Sequence, residues 1–156
     1  MPSGLYVVGS AAGGRANLMT ASLAIQVATE PKLVAVAVDA TSVTRALIVE
    51  GGGFSLSLLA REDRAVVRRF VKPVPEQEVV TDGGAVVSML GEPVEAHATG
   101  CPVLARAVAW LDCALWHRLE AGSHDLFVGE VVAVGGPSEE MPPVLRMEDT
   151  RMSYGG

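Results

Sequence analysis

The sequence predicts an all-β-dominated fold, a small antiparallel β-barrel with short helical insertions. Short runs rich in Val, Leu and Ala recur along the chain, most of them four to six residues long, the length of ordinary strands. The 17 glycines and 9 prolines fall between those runs, where turns are needed. The runs also lack the regular βαβ alternation of a parallel sheet.

Taken in order, the predicted strands are Leu5–Val8, Leu33–Val38, Phe54–Leu58, Ala85–Leu90, Ala109–Leu119 and Leu126–Val134. The stretch from Gly13 to Ser22 reads as a turn followed by a strand. In Ala109–Leu119, Leu111, Cys113, Leu115 and Leu119 alternate with Asp112, Arg118 and Glu120, the period-2 signature of a half-buried strand. Leu111, Leu115 and Leu119 also sit at helical spacing. The polar stretch Glu120–Asp125, which reads as a hairpin loop before the next strand, decides for strand. A helix is predicted from a Thr41 or Ser42 cap to Glu50, because a hydroxyl there accepts from the orphan N–H groups of the first turn. Gly51-Gly52-Gly53 stops it. A second helix is predicted over Glu62–Phe70, acidic at its start, basic at its end and closed by Pro73.

The 156 residues suit one domain, and Lys72–Glu76 is too short a linker to separate two cores, so residues 1–156 are read as one unit. Twelve basic against 18 acidic side chains give a net charge of −6, which argues against a nucleic-acid binder. Apolar residues make up 49% and charged ones 19%, which excludes intrinsic disorder. A mean hydropathy of +0.35 is high for a small soluble monomer, so part of the apolar surplus belongs in a subunit contact or under a cofactor. Cys101 and Cys113 read as buried reduced thiols. With no signal-peptide pattern, and only fourteen uncharged residues between Arg15 and Glu30, five of them polar, a soluble cytoplasmic protein is expected.

Three stretches can carry chemistry. Asn17, Thr20 and Ser22 supply donors and acceptors after a Gly13-Gly14 turn, and Met19 a polarisable apolar contact. The segment Asp39–Arg45 runs from strand through a Ser/Thr-rich turn into a helix, an arrangement that offers N–H groups, hydroxyls and a positive dipole to an anion. Plain capping by Ser42 accounts for it with no ligand at all and is the favoured reading of this segment alone, and Arg45 adds charge only in the anion reading. His124, in the hairpin loop, suits ligand contact or proton shuttling near neutral pH, or is simply a solvated histidine. His97 and His117 read as structural, and no metal-ligand spacing, Rossmann fingerprint, P-loop or serine-hydrolase elbow is present.

In succession, several blocks resemble the flavin reductase-like, FMN-binding split-barrel family. They are Asn17-x-Met19-Thr20-x-Ser22, Glu30-Pro31 before Leu33–Val36, Ser42-x-Thr44, Gly53–Leu59, Ala109–Cys113 and Gly122–Val131. Tyr154 falls where the family often has a tyrosine. The resemblance implies a six-stranded antiparallel split barrel of Greek-key type with short helices, usually a homodimer with flavin near the subunit boundary. It implies that Asn17, Met19, Thr20, Ala21 and Ser22 line the flavin ring and ribityl chain. Ser42 and Thr44 would then hold the 5′-phosphate, and Ser55, Leu56 and Ser57 continue the wall. His124 would position a nicotinamide, with proton transfer secondary. The chain departs from the family pattern at Ser57 and Ser123, where Asn and Asp are common.

The implied activity is an NAD(P)H-dependent flavin reductase that passes hydride from nicotinamide to flavin N5. FMN is the expected cofactor with FAD as the alternative, and a flavin-accepting oxygenase or other electron acceptor is the partner. A non-enzymatic FMN-binding electron carrier without direct NAD(P)H oxidation is the competing function.

Overall fold

All six predicted strands form in the computed structural model of the chain, which describes residues 3–137 and 140–152. The strands are β1 (Tyr6–Ala12), β2 (Arg15–Ala21), β3 (Ala24–Thr29), β4 (Lys32–Asp39), β5 (Gly53–Leu58), β6 (Val79–Asp82), β7 (Ala85–Met89), β8 (Glu92–Ala96), β9 (Pro102–Leu104), β10 (Ala109–Ala121) and β11 (His124–Gly135). The one α-helix among the described residues, α1, spans Val43–Gly51.

The six-stranded barrel is corrected by this arrangement. The described strands form a seven-stranded antiparallel sheet of order β2-β1-β5-β10-β11-β4-β3 and a four-stranded one of order β6-β7-β8-β9, with no pairing that closes either. The count rises because short segments that the sequence did not mark as strands also pair. β3, with mostly exposed residues, forms the outer edge of the large sheet, and β6 and β8 lie in the small one. Such strands carry no apolar alternation and are held by ladder hydrogen bonds to better-patterned neighbours.

Gly13 and Gly14 turn β1 into β2 with φ of 56° and 77°, the doubly positive conformation of a tight hairpin turn. The β10–β11 hairpin is also tighter than predicted, because Ala121 and His124 already pair and only Gly122-Ser123 remains as the turn. His124 is therefore the first residue of a strand rather than a loop tip.

Alternation along β1 and β2 divides the interior in two. Val7 and Leu18 point into a layer with Leu59, Val67, Phe70, Met89 and Leu104. Val8 and Ala21 point the opposite way, into a second layer with Val36, Ile48, Phe54 and Phe127. α1 seals that second layer through Ile48.

The predicted helix over Glu62–Phe70 does not form. Two short 3-10 turns, Arg61–Asp63 and Val67–Phe70, take its place. An isolated segment of nine residues is a marginal helix, and burying Val66, Val67 and Phe70 in the first layer outweighs the favourable end charges. Lys72–Glu76 is no linker: Val74 is buried in that layer. Cys101 and Cys113 are buried and unbonded, and burial pushes the Cys113 thiol up to about 12. No helix among the described residues is long and apolar enough to cross a membrane. Tyr154 lies outside the described residues.

Candidate functional site

The turn that joins β4 to α1 organises the site. The Asp39 carboxylate accepts from the Thr41 N–H at 2.7 Å and the Thr41 hydroxyl at 2.6 Å. Those two bonds, the hydroxyl's first, hold its carboxyl below the usual carboxylate range, with burial opposing and His124 assisting. Ser42 caps the helix: its hydroxyl accepts from the Arg45 N–H at 3.1 Å and donates to the Asp39 carbonyl at 2.8 Å. The helix geometry leaves the Val43 and Thr44 N–H groups of the first turn without intrahelical acceptors, at the positive end of the dipole. Capping and an anion site are thus compatible here.

β2 closes the other side. Asn17 is 3% exposed; its amide donates to the Thr44 hydroxyl at 2.9 Å and accepts from the Val74 N–H at 2.9 Å. One side chain therefore fastens β2, α1 and the Lys72–Pro75 segment together. Around this junction lies a cavity of about 230 Å³ lined by Asn17, Met19, Asp39, Thr41, Ser42 and Thr44, with Lys72 and Pro73 at its edge. Lys72 puts a cation at this cavity. The sequence marked it only as a basic residue after the second predicted helix and the start of the short Lys72–Glu76 linker; a lysine set between a helix end and Pro73 was the signal that could have found it.

Of the predicted residues, Asn17, Met19, Ser42 and Thr44 meet at this cavity. The others lie elsewhere, Thr20 because alternation along β2 turns it to the opposite face from Asn17 and Met19. Thr20 faces the opposite layer and donates to the Val67 carbonyl at 2.6 Å, while Ala21 and Leu56 are core residues. Ser22 is buried at the bend after β2. Ser55 donates to the Pro102 carbonyl at 2.6 Å, and Ser57 accepts from the Leu104 N–H at 3.0 Å. Both hydroxyls are 0% exposed and fasten β9 to β5. Arg45 turns away from the anion position and donates to Asp125 at 2.9 Å. Arg118 adds a second guanidinium there at 2.7 Å, and together they hold the Asp125 carboxyl below its ordinary range.

His124 pairs directly with Asp39 across β11 and β4, so the two side chains share one face beside the cavity turn. Its Nδ1 lies 2.9 Å from the Ser123 hydroxyl, whereas its Nε2 is buried without a partner. Buried polar atoms without a partner are rare and call for one. A larger cavity of about 760 Å³ lies between Ser3–Tyr6 and Val144–Met152, and none of the predicted site residues lines it.

Comparison with known proteins gives the family. The sequence model of the flavin reductase like domain matches residues 1–155. A flavin reductase (NADH) from Kitasatospora aureofaciens is 30% identical over 149 residues, covering 93% of this chain and 71% of the relative. The high molecular weight rubredoxin from Moorella thermoacetica is 28% identical over 130 residues, 82% of this chain. The chain spans 53% of that relative and 50 and 37% of two other curated ones, about half their length or less. Among solved structures, BorF, the flavin reductase component of a bacterial two-component tryptophan halogenase, superposes with a TM-score of 0.73 at 26% identity, covering 89% of this chain and 82% of that one.

Proposed function

The chain belongs to the flavin reductase like domain family, and from that premise we propose that it is an NAD(P)H:flavin oxidoreductase. The observation that carries the reading is the convergence of Asn17, Met19, Ser42 and Thr44 on one cavity at the start of α1, with Lys72 beside it. A phosphorylated flavin fits this donor set. The Val43 and Thr44 N–H groups, the helix dipole and the Lys72 ammonium suit a phosphate. Met19 offers a polarisable wall to a flat ring, and the orphaned Nε2 of His124 offers a polar partner beside it.

The bound flavin would supply the hydride-accepting N5, chemistry that belongs to the cofactor. The chain contributes binding and orientation. Val43, Thr44 and Lys72 anchor the phosphate end, while Asn17 fixes the spacing between β2 and α1. Val71 and Pro73 add apolar surface to the cavity wall, and His124 would orient the nicotinamide carboxamide. FMN is the smallest flavin that satisfies the phosphate site. By likeness to BorF, the reductase component of a two-component tryptophan halogenase, the natural acceptor would be a partner enzyme that consumes reduced flavin.

A homodimer fits the same reading. The face of the large sheet opposite Val36 and Phe127 carries Ile25 (67% exposed) and Leu119 (54%), exposed apolar side chains on one side of the sheet. The two unbonded cysteines suit the reducing cytoplasm in which we place the protein.

The test is to mix the purified chain anaerobically with FMN or FAD and then NADH or NADPH. Bleaching of the flavin absorbance by either nucleotide supports the reductase. Bleaching by dithionite alone leaves an electron carrier.

A further inference from the structure

Three hydroxyls line the cavity at the start of α1, those of Thr41, Ser42 and Thr44. Each holds a single hydrogen, so each can donate only once. Thr41 spends its hydrogen on the Asp39 carboxylate at 2.6 Å. Ser42 spends its own on the Asp39 carbonyl at 2.8 Å and accepts from the Arg45 N–H at 3.1 Å. Neither has a donor left for a ligand. Thr44 differs. It is 1% exposed, and its hydroxyl accepts from the Asn17 amide at 2.9 Å. Among the described residues nothing takes its hydrogen.

The orientation of the Asn17 amide is fixed by chemistry. A backbone N–H can only donate, so the Asn17 atom that meets the Val74 N–H at 2.9 Å is the oxygen. The nitrogen therefore faces Thr44, and an amide nitrogen can only donate.

We propose that Asn17 is a positioning residue for phosphate recognition. By donating to the Thr44 hydroxyl it makes that oxygen an acceptor and keeps its hydrogen for an anionic ligand group. The proposal rests on the reading of this cavity as a flavin phosphate site. It gives Asn17 a role exerted through Thr44, in place of the ring-lining one that the family resemblance implies. An aspartate at position 17 would serve the Val74 N–H equally well, but it would take the Thr44 hydrogen for itself. The consequence is specificity. A hydrogen bond to a charged acceptor is roughly twice as strong as a neutral one, so the Asn17–Thr44 pair favours a phosphorylated flavin over riboflavin, which offers the same ring without the phosphate.

Titration of the full chain with FMN and with riboflavin, followed by flavin fluorescence, tests this through the ratio of the two affinities. A change in spacing between β2 and α1 moves both affinities and leaves the ratio in place. Wild type is expected to prefer FMN. Thr44→Val should lower that preference about tenfold, and Thr44→Ser should keep it. Asn17→Asp should lower it as well, and adding Thr44→Val to Asn17→Asp should lower it no further, because the carboxylate already holds the hydrogen. An equal step for Thr44→Val in both backgrounds would overturn the proposal, as would an unaltered preference in Thr44→Val alone. Wild type gives a second readout by nuclear magnetic resonance. A coupling across a hydrogen bond from the FMN phosphorus to the Asn17 amide would make Asn17 a direct ligand and overturn the proposal without any variant. A wild-type chain that binds riboflavin as tightly as FMN, or binds neither, would overturn it together with the reading of the cavity.

Discussion

Asn17 and Thr44 lie 27 residues apart and share a buried hydrogen bond of 2.9 Å, which fastens β2 to the first turn of α1. Since Asn17 also accepts from Val74 N–H, the walls of the site are held by one amide. Replacing Thr44 with Ala leaves an amide hydrogen buried without an acceptor, a loss of about 1–3 kcal/mol. Thr44→Ala is therefore expected to lower the stability in urea by that amount and to weaken flavin binding in parallel. Unchanged flavin affinity with lowered stability would confine Thr44 to a structural role.

Ser57 behaves differently. Its hydroxyl accepts from the Leu104 N–H at 3.0 Å, in a contact between β5 and β9 away from the cavity. Ser57→Ala should cost about 1–3 kcal/mol in chemical unfolding, because the Leu104 donor is left unpaired. Flavin affinity measured by titration should stay within twofold of wild type.

These two residues show what was legible in the sequence. The strand runs, the Ser42 cap and the Gly13-Gly14 turn follow from local chemistry, and all appear. The cavity at Asn17, Met19, Ser42 and Thr44 was legible through family pattern and cap chemistry together. Which face each strand residue takes was not. Thr20, Ser55 and Ser57 are polar and lie among site residues in the sequence, yet their hydroxyls are consumed by Val67, Pro102 and Leu104. Those partners are 47 positions away in each case, a pairing that no local pattern encodes. The same holds for Arg45, whose charge is taken by Asp125 eighty positions on.

Asp125 gives a pH prediction. Its carboxyl is held low first by the Arg45 hydrogen bond, against burial, and then by Arg118. A carboxyl lowered in the folded state stabilises that state above its unfolded value, near 3.9 for a model aspartate, and the contribution is lost as pH falls through the lowered value. The melting temperature of wild type should therefore drop as the pH falls below about 4. Asp125→Asn should start less stable at neutral pH, with two guanidiniums facing a neutral amide, and should lose less on acidification. A variant whose acid loss matches wild type would show that other carboxyls control the transition.

The face of the large sheet opposite Val36 and Phe127 yields a test of assembly. Ile25 pairs with Ala35, and Ala35 with Val128, so one row across β3, β4 and β11 is apolar on the outer face. Ile25→Lys places a charge in that row at 67% exposure, where a monomer tolerates it within about 0.5 kcal/mol. Light scattering should give a dimer for wild type and a monomer for Ile25→Lys, with the far-UV spectrum retained.

His124 separates nicotinamide positioning from flavin binding. Its Nε2 is buried without a partner, and its ring lies beside Asp39 rather than among the Asn17–Thr44 contacts. His124→Ala removes one ligand hydrogen bond, about 0.5–1.5 kcal/mol, or roughly a two- to tenfold rise in the Michaelis constant for NAD(P)H. Flavin affinity should be nearly intact, because the phosphate anchors at Val43, Thr44 and Lys72 are untouched. His124→Gln keeps a hydrogen-bonding group at the ring position and should recover part of the loss. A collapse of flavin binding in His124→Ala, with the Michaelis constant for NAD(P)H unmoved, would place the imidazole against the flavin instead.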